Sequence, residues 1–159
     1  MYKALVNCFE SCLFTYKISN AMTMKIIWKN IILLMVFLSV SYWGYLNNEV
    51  GLAIFQVFIS SIFLKELIEH LRFVNITERI FEDLKEFFTS NKKDDSFGEE
   101  KMGFAIKTLL DYETNLAYAS FLSDSNIYNS INKDLTKEWT EMKLFYNIED
   151  FDNHKPSKK

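Results

Sequence analysis

The chain has 159 residues, with 18 lysines and arginines against 21 aspartates and glutamates, four glycines and one proline. So little glycine and proline excludes a loop-rich or all-β fold, because tight turns draw on both. The acidic balance, a net −3, excludes non-specific binding to duplex nucleic acid, which needs a basic footprint.

In chain order, residues 1–24 place Leu5, Phe9, Cys12, Leu13 and Tyr16 three and four apart. That spacing predicts a short amphipathic helix, expected to lie on the inner membrane face, with a disordered tail as the alternative. Cys8 and Cys12 stand one helical turn apart with no further Cys or His nearby. A zinc site needs two more ligands, so they read as small apolar residues of a reducing compartment.

Ile26 to Leu46 is the first strongly apolar run. Its 21 residues reach about 31 Å as a helix, one hydrocarbon thickness. Trp28 stands at one end and Tyr42, Trp43 and Tyr45 at the other, as in an interfacial aromatic belt. A polar turn at Asn47-Asn48-Glu49 leads into a second run, Val50 to Leu64. This run is short, but it lengthens if it starts at Asn47 and Lys65 snorkels. Two runs so close predict an antiparallel transmembrane hairpin at 25–65, the first span about 26–46 and the second about 47–65. A cleaved signal peptide and a buried soluble hairpin are the alternatives. The length of the first apolar core speaks against the former, and the scarcity of polar interruptions against the latter.

Lys3, Lys17, Lys25 and Lys29 against Glu10 give residues 1–29 a net +3, while the turn of the hairpin carries only Glu49. The positive side is the cytoplasmic one, so both termini are expected inside, at the inner membrane. The outer loop is then too small to recognise a partner.

The second span is expected to continue as an amphipathic stalk through Phe88. Leu67, Val74, Phe81 and Phe88 recur every seven residues beside the row Phe73, Ile80 and Phe87, with Leu71 and Leu84 between. Such rows suit either a partner helix or a core-facing helix. Residues 89–103 read as a loop. A helix follows over about 104–122, burying Ile106, Leu109, Leu110, Leu116, Ala117 and Phe121. Ser123-Asp124-Ser125 breaks it with N-cap chemistry. A last helix over about 126–148 carries Ile127, Ile131, Leu135, Trp139, Met142 and Tyr146, and 149–159 is a polar tail. The expected fold is all-α: a hairpin and a cytoplasmic domain at 66–148 of about three helices, stabilised by oligomerisation because so small a core is modest.

The sequence offers no phosphate loop, zincin motif or nucleophile elbow, so no enzyme and no cofactor are expected. Its two histidines do not change this: His70 is expected at the membrane surface and His154 in the tail. Three sets suggest binding or packing instead. Arg72 and Arg79, seven apart on the stalk, form one face able to grip phosphate. Asn129, Asn132, Lys133, Thr136 and Lys137, beside Trp139, combine amides, a hydroxyl, cations and an aromatic, as nucleotides require. For both sets a solvated polar helix face remains the alternative. Ala53, Gln56 and Ser60 give the second span a small or polar face that lines a pore or packs helices.

A helical domain behind a two-helix hairpin, covering about Ile26 to Ile148, resembles small membrane effectors of prokaryotic antiviral defence. In length and order it is similar to the CRISPR-associated two-pass membrane effectors activated by cyclic tetra-adenylate, and to the two-transmembrane SLATT effectors. The likeness is one of layout. It implies a homo-oligomer, such as a tetramer, that binds a cyclic oligoadenylate with its soluble domains and then perturbs the bilayer. A membrane anchor or scaffold for a protein partner, and a holin-like lesion former, are the competing expectations.

Overall fold

No glycine or proline occurs in residues 1–43 or 52–97, so nothing in either stretch stops a helix once begun. In the computed structural model of the protein, each stretch carries one long helix: α1, Tyr2–Leu46, and α2, Val50–Ser90. Two shorter helices follow, α3 at Glu99–Tyr118 and α4 at Ser125–Tyr146. The structure describes residues 1–46, 50–91, 99–118 and 125–148, and the side chains of these except 45, 46, 50–56, 58–63, 99, 100 and 118. Among the described residues there is no strand. The all-helical class therefore holds.

The long-range contacts fix an up-and-down order. α1 and α2 run antiparallel, since Cys12 Sγ lies 3.4 Å from the Thr77 carbonyl, Thr23 meets His70 at 3.1 Å and Lys29 meets Glu66 at 3.2 Å. α3 runs parallel to α1: Phe104 stacks on Phe87 at 4.8 Å, and Tyr112 meets Thr15 at 2.9 Å. α4 runs back along another side of α1, with Glu138 on Lys17 at 2.9 Å and Tyr146 against Phe9 at 5.7 Å.

The first half of α1 is thus the central element of a four-helix bundle. Leu5, Phe9, Cys12 and Leu13 are fully buried. Phe9 joins three helices: its ring stacks on Phe88 at 5.0 Å, meets Phe81 at 5.5 Å and stands edge-on to Trp139 at 5.6 Å. Burial of one such ring contributes about 2–3 kcal/mol, before the cost of ordering it. This revises the expectation for residues 1–24. Their apolar stripe is real, but the facing rows of α2 and α4 cover it, where a membrane surface was expected. Among the described residues it also raises the bundle from the expected three helices to four. The seven-residue rows of the stalk serve this packing: Phe73, Val74, Ile80, Phe81, Leu84 and Phe88 are all buried, while Leu71 is exposed.

α3 departs from expectation in register. It begins at Glu99 rather than 104, and its buried side is Ala105, Thr108, Tyr112 and Asn115, with Leu109 and Leu116 half-buried. Ile106, Leu110 and Ala117, expected inside, are exposed, and Phe121 lies outside the described residues. A polar node explains the inversion. Asn115 Nδ2 donates to Thr77 Oγ1 at 2.9 Å, and Thr77 donates to the Phe73 carbonyl at 2.8 Å, so these buried polar groups are satisfied by one another. α4 ends in a Schellman motif: Asn147 takes φ 54°, and the amides of Ile148 and Asn147 bond the carbonyls of Lys143 and Leu144. That turn folds Ile148 into the core.

Candidate functional site

Beyond Met24 the character of α1 reverses. Trp28, Ile31, Ile32, Leu34, Met35 and Val36 are all exposed, as are Leu38, Val40, Tyr42 and Trp43. Among the described residues α1 is the helix long and apolar enough to cross a membrane. At about 68 Å it is roughly twice the hydrocarbon thickness, which leaves length for the bundle half. On α2 the described Val57, Leu64 and Ile68 are exposed too. Ala53, Gln56 and Ser60 lie in α2, but their side chains fall outside the described residues. On the first run Ser41 is half-buried and Gly44 buried.

Between bundle and apolar half lies a polar collar. Lys29 bridges to Glu66 across the two helices, and Lys65 to Glu69 along α2 at 3.6 Å. Just on the bundle side sits His70, 5% exposed. Its Nε2 lies 3.2 Å from the Ser19 carbonyl and 3.1 Å from Thr23 Oγ1, and Thr23 itself donates to Ser19. A carbonyl only accepts, so Nε2 carries the proton there. Burial holds the imidazole below its ordinary value of 6.5, against the opposing pull of the Ser19 carbonyl and the Glu66 charge.

The expected ligand residues do not converge within one chain. Arg72 and Arg79 are exposed, on the side of α2 opposite its buried rows, and neither makes an ion pair among the described residues. Asn129, Lys133, Thr136 and Lys137 are exposed on α4, and Asn132 is half-buried. Thr136 Oγ1 donates back to the Asn132 carbonyl at 2.9 Å, and Lys137 stands 3.8 Å from Glu141. Trp139 leaves the set: it is 5% exposed and packed on Phe9, so no base reaches its face.

The thiols are equally enclosed. Both cysteines are free and buried, and burial pushes Cys8 up to about 11 and Cys12 higher still, so both stay protonated and poorly nucleophilic. Among the described residues no group of His, Cys, Asp and Glu has the arrangement to hold a metal ion.

An open groove of about 510 Å³ does form where α1, α2 and α4 meet. Tyr16, Phe81, Met142 and Phe145 supply its apolar walls, and Lys17, Lys85, Glu82, Glu138 and Glu141 its polar rim. Lys17 is paired with Glu138, and Lys85 with Glu82 at 2.9 Å. Tyr16 Oη donates to Glu78 at 2.8 Å, and that bond, ahead of burial, raises the phenol's pKa. No single helix carries a signal for this groove, because three helices far apart in sequence build it. Compared with known proteins, the chain matches no family model, no curated protein and no solved structure.

Proposed function

We propose that the protein is a two-pass membrane effector of prokaryotic antiviral defence, seated in the inner membrane with both termini in the cytoplasm. One observation carries this reading. α1 passes without a break from a packed bundle into a stretch whose apolar side chains face outward, and α2 runs antiparallel beside it. Outward apolar faces of this extent need lipid or protein around them. Continuous helices also join the bundle rigidly to the membrane part, so a change in bundle packing tilts or separates the spans.

The ligand in this proposal is a cyclic oligoadenylate such as cyclic tetra-adenylate, a choice supported by the resemblance of layout. Cations on exposed faces suit its phosphates: Arg72 and Arg79 on α2, Lys133 on α4. Because these faces look outward, a site for so large an anion is assembled between copies. Asn129, Asn132, Thr136 and Lys137 then border it, without Trp139.

The full chain in liposomes tests this. Cyclic tetra-adenylate is expected to release an entrapped dye, and substituting alanine for both Arg72 and Arg79 is expected to abolish release. Absence of binding in calorimetry across a panel of cyclic oligonucleotides removes the ligand. Extraction of the chain from membranes by alkaline carbonate removes the membrane placement itself.

A further inference from the structure

Among the exposed apolar patches on the described residues of the bundle, two bear on how it meets a neighbour. One is the outward ridge of α3, where Met102, Ile106 and Leu110 follow one another by four residues and Leu110 is 61% exposed. Gly103 shares that face with open space beside it, so a neighbouring surface can approach the helix closely. The other is the mouth of the three-helix groove, where Phe145 on α4 is also 61% exposed. A helix apolar on both sides is expected to be covered on both.

The patches lie on different sides of α1 but at one height. Phe104 stacks on Phe87 and Tyr112 meets Thr15, so Ile106 and Leu110 fall between those levels. Tyr146 meets Phe9 and Glu138 reaches Lys17, which puts Met142 and Phe145 along the same stretch. One pair of charges can meet across such a contact: Lys107 is exposed beside the ridge, and of the groove's three acids Glu141 is the one not held by Lys17 or Lys85, which pair with Glu138 and Glu82.

We propose that the α3 ridge of one copy seats in the α1–α2–α4 groove of a second copy of this chain, with Lys107 toward Glu141. The occupant follows from the membrane placement proposed above, on which this inference rests. A shared bilayer holds every copy upright in one plane, so ridge and groove meet at the same level. A head-to-tail contact repeated about the membrane normal closes a ring. It sets exposed faces of adjacent bundles side by side, where a multivalent anion can bridge them.

The test uses the full chain in membranes, with Ile106→Cys on one tagged copy and Phe145→Cys on a second copy bearing another tag. Oxidation is expected to link the two tags only when both variants are co-expressed. The double variant is expected to give a ladder whose last step counts the ring. Lys107→Glu is expected to lose the mixed product, and adding Glu141→Lys to restore it. A linked product from Ile106→Cys alone, which means α3 against α3, overturns the proposal. So does capture of a different protein at Ile106. A chain that stays in the membrane fraction with no mixed product overturns the interface and leaves the membrane reading standing. A chain absent from that fraction overturns both.

Discussion

The two halves of α1 are built from nearly the same residue types and end in opposite surroundings. Between Leu5 and Leu13 the apolar side chains keep to one side and are buried, with Asn7, Glu10 and Ser11 on the other. Between Ile31 and Trp43 they surround the helix, and most are exposed: Phe9 is fully buried, Trp43 72% exposed. The contrast shows that the polar residues, more than the apolar ones, decide where a helix goes. A stripe finds other helices; an all-round coat finds a solvent of its own kind. The collar at Lys29 and Glu66 marks the border.

The largest effect should come from breaking the bundle half alone. Phe9→Ala removes the ring that joins α1, α2 and α4 and is expected to cost about 3–5 kcal/mol, read from denaturant unfolding in detergent. The same truncation at Leu38 should leave that unfolding unchanged. Equal losses at both positions would mean that the halves do not differ as described.

Next in size, Val36→Arg places a charge at the middle of the apolar half. It should cost about 2.5–3.5 kcal/mol of insertion and shift the chain out of the membrane fraction. The bundle's circular dichroism should survive in detergent. A smaller effect is expected inside the bundle at Asn115→Ala, which removes one of the two hydrogen-bond partners of buried Thr77. About 1–3 kcal/mol should be lost, and Thr77→Ala in the same background should then cost less than it does alone.

The smallest effect sharpens the border itself. His70 is held below 6.5 in the folded chain, so the unfolded chain takes up a proton first as pH falls. Its contribution to stability is whole above pH 6.5 and declines as pH drops through the folded value. His70→Gln should flatten the stability profile between pH 7.5 and 5.5, and an unchanged slope would exclude the imidazole as its source.

Much of the fold was legible in the chain. The helical class, the apolar span at 26–46 and the passage of α2 without interruption all follow from glycine and proline placement and from hydropathy. Applied to residues 1–43, the same glycine and proline count gives the continuity of α1, which dividing the chain at residue 24 conceals. Of the candidate site, exposure of Arg72, Arg79 and the α4 cations was legible, because polar residues opposite a buried row face water. The withdrawal of Trp139 was not, since an aromatic at the edge of a polar set fits either a ligand or a core.

What the sequence by itself determined is the kind of surface each segment presents: one-sided in residues 5–13, all-round in 31–43, seven-residue rows on α2. Only the tertiary structure decided which surfaces meet. Periodicity marks a face as apolar without naming its partner, so the stripe in residues 1–24, expected at a membrane surface, packs in the bundle instead. α3 carries apolar residues on two sides, and its register was set by the Asn115–Thr77 pair, a contact between helices far apart in the chain. Pairing a buried polar group outweighs the choice between two apolar stripes of similar size, and that pairing left Ile106 and Leu110 outward beside a groove of matching height.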